Sequence, residues 1–270
     1  MTYIDAHNHL QDVRLDPRRA EITVAVAELP VQIAVVNGTR EADWEAVSAL
    51  ARELPWVRPA FGLHPWFVAG RSPDWLEKLV HLLDSHPDAS IGEIGLDRWI
   101  EGYDLPAQKE VFQAQLSLAA KRDLPATIHC LKAWGALDEA VRETPPPARG
   151  FLLHSFGGSE EMATTLAERG AYFSFSPYFL RPGKEKQQNV FTSLPVDRLL
   201  AETDAPDMPP HDAINPLQLG VDENNKPINH PANIALSYKG LAKLRGMAVE
   251  ALAAQLQENF IRLFGKPLHS

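Results

Sequence analysis

The chain opens on Tyr3-Ile4-Asp5-Ala6-His7-Asn8-His9-Leu10, a short apolar run that ends in two histidines separated by one residue. In an extended segment, residues i and i+2 point the same way. His7 and His9 can therefore turn both imidazoles toward one point, as a shared metal ion requires, while Asn8 points away. A pair of histidines is only part of a ligand set, so the remaining donors must be sought further along the chain.

Working outward from this stretch, apolar runs of strand length alternate with segments of helical period. Strands are expected over 31–36, 57–61, 90–94, 126–128, 150–153, 171–175 and 198–201. Helices are expected over 17–29, with Asp16 as N-cap and Pro17 at the first position, and over 41–54, 72–85, 106–123, 133–143, 159–169 and 184–194. Residues 207–231, rich in Pro, Asn and Asp, read as a long loop, and two helices over 232–244 and 249–263 close the chain. Eight short strands alternating with helices imply parallel strands joined by right-handed crossovers. That number of units in 270 residues suits a single-domain (β/α)₈ TIM barrel spanning 1–270. An open doubly wound sheet is the alternative, but no GxGxxG follows the first strand.

Composition narrows the class. The chain is 45% hydrophobic and 23% charged, enough for a large core. A formal net charge of -9 gives no bulk attraction to nucleic acid, so a phosphate-bearing substrate would need metal ions and a few local cations. Cys130 is the lone cysteine, which excludes an intramolecular disulfide. Met1 is followed by neither a basic segment nor a long apolar one, and no apolar run has the length of a membrane span. A cytoplasmic protein without a membrane partner is expected; its oligomeric state is left open.

In a barrel of this kind, functional side chains stand at the C-terminal ends of strands. His7 and His9 follow the first strand, Glu93 closes the fourth, His129 the fifth and His154 the sixth, and Asp204 comes just after the eighth. Their separations are close to whole numbers of βα units, so all six can converge on one rim. Imidazole with carboxylate suits borderline divalent ions such as Zn²⁺, Mn²⁺ or Fe²⁺ rather than Ca²⁺, with Mg²⁺ also admissible. Six donors exceed one tetrahedral site that keeps an open position. They serve two ions if Glu93 bridges: His7, His9 and Asp204 on one, His129 and His154 on the other. Of the remaining histidines, His64 follows the third strand at the same rim and is a substrate contact. His81 and His86 are expected to be solvated, and His269 lies in the tail.

The residues that carry these features resemble the TatD-related metal-dependent deoxyribonucleases of the amidohydrolase superfamily. The resemblance spans essentially the whole chain. It runs through Asp5-Ala6-His7-Asn8-His9-Leu10, Gly62-Leu63-His64-Pro65, Ile91-Gly92-Glu93-Ile94-Gly95-Leu96-Asp97 and Pro125-Ala126-Thr127-Ile128-His129-Cys130. It continues in His154-Ser155-Phe156-Gly157-Gly158-Ser159, Glu202-Thr203-Asp204-Ala205-Pro206 and Asn259-Phe260-Ile261-Arg262-Leu263-Phe264-Gly265. The resemblance implies a TIM barrel, a two-ion site with the six ligands above, and phosphodiester hydrolysis at DNA ends in the 3′ to 5′ direction, while some relatives act on other esters.

The chain departs from that pattern at three places. Leu131-Lys132 stands where Arg-Asp is usual, Arg98-Trp99-Ile100-Glu101-Gly102-Tyr103 replaces the usual segment after Asp97, and Ser155 takes the place of a cysteine. The expected chemistry is attack on phosphorus by a water activated between two ions, with Glu93 and Asp204 as catalytic carboxylates and Asp204 taking the proton. His64, Arg98 and Lys132 are candidate phosphate anchors, and Trp66, Phe67, Trp99 and Tyr103 candidate stacking surfaces. The expected partner is a nucleic-acid end or a small phosphodiester. Hydrolysis of a lactone or aminoacyl ester on the same centre is the alternative, and metal binding without turnover a third.

Overall fold

The computed structural model describes residues 1–266; His269 lies outside the described residues. Eight strands form one sheet in sequence order, every neighbouring pair parallel. They are β1 (Tyr3–Asn8), β2 (Val31–Asn37), β3 (Val57–Phe61), β4 (Ser90–Asp97), β5 (Ala126–Leu131), β6 (Phe151–Leu153), β7 (Ala171–Phe175) and β8 (Leu199–Ala201). Helices α1 (Arg19–Glu28), α2 (Trp44–Glu53), α3 (Trp75–Ser85), α4 (Leu105–Arg122), α5 (Trp134–Glu143), α6 (Glu160–Glu168) and α7 (Glu185–Ser193) are the crossovers. This is the (β/α)₈ TIM barrel that the alternation predicts.

The barrel joins β8 to β1 just past the end of β8. Asp204 donates its backbone N–H to His7 O at 3.0 Å, and His9 donates to Ala205 O at 2.7 Å. Buried Asp5 ties the same seam, accepting the Thr203 N–H at 3.0 Å and the Thr203 hydroxyl. Lower on β1, the Tyr238 hydroxyl accepts from Ile4 N at 2.9 Å and donates to Ile4 O at 3.2 Å, satisfying an edge that three-residue β8 is too short to cover. Tyr238 belongs to α8 (Ile234–Arg245), which precedes α9 (Val249–Phe264).

Two packed layers hold the barrel together. Ile4, Ala6, Ile33, Val35, Ala60, Leu152, Tyr172 and Leu200 cluster with Phe260, Leu263 and Phe264 of α9. Only the lumen can bring residues of six strands together, so α9 plugs the end opposite the functional rim. The larger cluster fills the space between strands and helices, with Phe61, Ile91, Phe151, Phe173 and Phe175 facing Val47, Leu79, Leu116 and Leu137.

Four details differ from the sequence expectation. Residues 13–18 form a 3₁₀ turn with Asp12, not Asp16, as its side-chain cap, and α1 begins only at Arg19. Pro17 lies inside that turn, ahead of the first residue of α1. The region 207–231 is not all loop: β9 (Gln218–Val221) and β10 (Pro227–Asn229) pair as an antiparallel hairpin. Its strands are short, and Asp222 closes the turn with its own backbone and side-chain bonds, so composition hides it. His86 is half-buried rather than solvated, bonded through Nδ1 to Leu82 O at 3.0 Å. Finally, β4 and β5 run past Glu93 and His129 to Asp97 and Leu131, in register from Ile94–Ile128 to Asp97–Leu131. Gly95 permits that extension, since a Cβ there would lie 1.9 Å from His129 O.

Candidate metal centre

Glu93 stands at the middle of the rim, with the two oxygens of its carboxylate turned to different partners. Oε2 lies 3.2 Å from His9 Nε2 and 3.6 Å from His7 Nε2. Oε1 lies 2.8 Å from His154 Nε2, 3.1 Å from His129 Nδ1 and 3.4 Å from His64 Nε2. On the Oε2 side, Asp204 Oδ1 is 3.3 Å from His7 Nε2 and 3.5 Å from His9 Nε2, and the two imidazole nitrogens are 3.2 Å apart. On the Oε1 side, His129 Nδ1 and His154 Nε2 are also 3.2 Å apart. All six expected ligands thus meet, in two groups that share Glu93.

The spacing on the Oε2 side fits a cation. Four donors bound at about 2.0–2.1 Å on a tetrahedron stand about 3.3–3.4 Å apart, and the separations on the Oε2 side run from 3.2 to 3.6 Å. Two imidazole lone pairs 3.2 Å apart repel each other unless a cation or a proton lies between them. The outer nitrogens support the same orientation. His9 Nδ1 donates to Asn37 O at 2.8 Å, and His129 Nε2 donates to Asp97 Oδ2 at 2.9 Å. Each bond fixes a tautomer whose other nitrogen offers its lone pair to the centre. His7 Nδ1 and His154 Nδ1 are buried without a hydrogen-bond partner.

His64 differs. Its Nδ1 accepts the Trp66 backbone N–H at 3.2 Å, so the ring hydrogen sits on Nε2 and faces Glu93 Oε1. It presents a donor to the centre, where His9 and His129 present acceptors.

The electrostatics favour positive charge at the cluster. Burial acts to raise the Glu93 carboxyl, but the charges of His154 and His64 and bonds from His129 and His154 overrule it and hold it well below the usual range. Asp204 is likewise lowered, its burial outweighed by His7 and His9. Burial opposes charge on His154, yet Glu93 lifts it to about 9. His9 rises in the same way between Asp204 and Glu93. Burial drives His64 down to about 4, and burial with the nearby His154 charge takes His7 to about 4.

The expected substrate contacts line the rim less uniformly. His64 is buried against the centre. Trp66 is 44% exposed and donates Nε1–H to Asp97 Oδ2 at 2.7 Å, while Trp99 is 60% exposed. Arg98 is exposed over the Tyr103 ring, and Phe67 lies under Arg40. Lys132 is exposed just past β5. Across the rim, Arg14 clasps the loop after β1 to the loop after β8 through Asp12 and Asp207.

Three residues around the centre are not singled out by the motif spacing. Asp97 accepts from His129, Trp66 and the backbone of Trp99 and Ile100. Glu202 is fully buried beside His154. Asn37 supplies the carbonyl that holds His9. The available signal for the first two is an acid inside a ligand-bearing motif, four residues after Glu93 and two before Asp204.

Comparison with known proteins finds relatives over nearly the whole chain. The family described as TatD related DNase matches residues 4–265. The uncharacterized metal-dependent hydrolase YjjV of Escherichia coli is 29% identical over 98% of both chains. The crystal structure of YjjV superposes with a TM-score of 0.88, covering 98% of each chain. A protein of Erwinia tasmaniensis named 3'-5' ssDNA/RNA exonuclease TatD is 31% identical over 91% of this chain and 93% of its own. Human deoxyribonuclease TATDN3 is 26% identical over 98% of this chain and 96% of its own. No helix among the described residues is long and apolar enough to cross a membrane.

Proposed function

This chain belongs to the TatD related DNase family, and from that premise we propose that it is a metal-dependent hydrolase that cleaves phosphodiester bonds at nucleic-acid ends with two divalent ions. The observation that carries the reading is the division of Glu93 between two donor groups. His7, His9 and Asp204 would hold one ion and His129 and His154 the other, with Glu93 turned to both groups. Zn²⁺ or Mn²⁺ is taken as the ion, the imidazole-rich set favouring Zn²⁺ over Mg²⁺. Ions held there supply Lewis-acid charge for the phosphoryl oxygens and activate a water nucleophile.

The chain's own groups do the rest. Asp204 accepts the proton of the attacking water on its carboxylate. Glu93 keeps the two donor groups at fixed separation. His64 offers its Nε2–H to a phosphoryl oxygen, with Arg98 and Lys132 as outer anchors. The exposed faces of Trp66 and Trp99 stack on the terminal base, an interaction of about 1–3 kcal/mol per base. A 3′ to 5′ direction on single strands follows the named activity of the Erwinia relative.

A second reading is favoured by the net charge of -9, which suits a small substrate better than a polymer. It keeps the centre and exchanges the phosphodiester for a lactone or aminoacyl ester. One panel decides between them: single-stranded oligonucleotides labelled at either end, a lactone and an aminoacyl ester, each with Mn²⁺ or Zn²⁺. Metal-dependent shortening from the 3′ end is expected. Turnover of the small esters with intact oligonucleotides would replace the first reading by the second.

A further inference from the structure

We propose that Glu202 is a positioning residue for the second ion: it holds the His154 ring through Nδ1 and adds a buried carboxylate behind that ligand. This rests on the two-ion reading above, and it concerns a residue that touches neither ion nor substrate.

Glu202 is fully buried, and a carboxylate has about four acceptor positions. Three are filled. Oε1 accepts the Ser155 backbone N–H at 2.7 Å and the Ser155 hydroxyl, and Oε2 accepts the Ser174 hydroxyl. The open position is on Oε2, because both Ser155 donors sit on Oε1. His154 Nδ1 is a buried ring nitrogen without a partner, and it lies 4.0 Å from Glu202 Oε1. With Nε2 of His154 giving its lone pair to an ion beside Glu93, the ring hydrogen belongs on Nδ1 and faces Glu202 Oε1. A ring shift of about 1 Å brings the pair to ordinary hydrogen-bond length, with the rotatable Ser155 hydroxyl giving up its place on Oε1 to the Nδ1–H.

The pattern repeats what two other ligands do. His9 has its outer nitrogen on Asn37 O and His129 has its own on Asp97. His154 needs such a brace more than either, because it follows a strand of only three residues and precedes Ser155 in the left-handed region at φ 41°. Ser155 is also where this chain departs from the usual cysteine, and its hydroxyl is one of the bonds that fix Glu202. Thus Glu202 and Asp204, two residues apart, serve different groups: Asp204 faces His7 and His9, and Glu202 faces the back of His154.

The test uses the full chain and Glu202→Gln, which preserves shape but removes the charge. Metal-depleted protein is titrated with Zn²⁺ against a competing chelator, and Co²⁺-loaded protein is read by its visible absorption spectrum. The expected result is a ten- to hundredfold weakening of one ion, with the other unchanged and an altered Co²⁺ spectrum. Ser174→Ala, which loosens only the far oxygen, should leave both affinities within about threefold of wild type. Two unchanged affinities in Glu202→Gln would overturn the proposal, as would equal weakening of both ions. Should that variant not fold, ¹⁵N-resolved NMR of the Zn²⁺-loaded wild type decides: a protonated, exchange-protected His154 Nδ1 supports the brace, and an unprotonated one refutes it. A wild type that binds fewer than two ions overturns the two-ion reading and this proposal with it, whereas two ions with no Glu202 effect sink only the proposal.

Discussion

Replacing Asp97 by Asn should weaken one ion and spare the other. Asp97 is fully buried, and both its oxygens are occupied. Oδ2 accepts from His129 Nε2 at 2.9 Å and Trp66 Nε1 at 2.7 Å, while Oδ1 accepts from Trp99 N at 2.6 Å and Ile100 N at 3.2 Å. An amide in this place turns an NH₂ group toward two N–H donors whichever way it is flipped. If the NH₂ faces His129, the imidazole is driven to the tautomer with hydrogen on Nδ1, the atom that faces Glu93 Oε1 at 3.1 Å. The lone pair that binds the second ion is then lost. If the NH₂ faces the loop, Trp99 and Ile100 lose their acceptor.

Altered partners of this kind typically cost ten- to hundredfold in affinity, about 1.4–2.7 kcal/mol. Two buried donors left without acceptors add a stability loss of about 2–4 kcal/mol. Competitive titration with a chelator would give the two affinities, and urea denaturation of metal-depleted protein the stability. A variant with both ions bound as tightly as in wild type would refute the view that Asp97 sets the tautomer of His129.

Two further outcomes follow from other parts of the molecule. Trp99→Ala should raise KM on an oligonucleotide by about 5- to 150-fold, the equivalent of one stacked base, with kcat kept within about twofold; steady-state kinetics check this, and a fall in kcat at constant KM would contradict it. His230, far from the centre in sequence, accepts the Ala232 N–H on Nδ1, and burial lowers its pKa to about 4. The unfolded chain, with His at its ordinary 6.5, takes up the proton first, so stability is lost as pH falls from about 6.5 to 4 and levels off below. His230→Asn keeps a capping acceptor and should flatten that acid slope by about 1–2 kcal/mol in urea melts at pH 6.5 and 4.5; parallel slopes for the two proteins would contradict it.

The barrel was legible because each strand is bounded by turn residues and each helix carries an apolar face, as at Trp44, Val47 and Leu50 of α2. The six converging donors were legible for a related reason: parallel strands place chain-distant residues on one rim, and a His or Glu that ends an apolar run is chemically out of place unless it has a task. What supports those donors was not legible. The partner of His129 is four residues beyond Glu93 only because β4 continues through Gly95, and the closeness of β4 and β5 there is a three-dimensional fact. The brace behind His154 joins Ser155, Ser174 and Glu202 from three different strand ends. The role of His64 turns on one backbone bond from Trp66 that no residue pattern announces. The hairpin within 207–231 escaped notice because strands of three and four residues leave no period to read.

The central claim is that Glu93 is shared between two ions. Diffraction from crystals grown with Zn²⁺ or Mn²⁺, collected on both sides of the metal's absorption edge and paired with metal analysis of the same protein, tests it most directly. Two anomalous peaks about 3.5–4 Å apart are expected, one beside His7, His9 and Asp204, the other beside His129 and His154, with one Glu93 oxygen on each. A single peak, or two peaks of which only one touches Glu93, would contradict it.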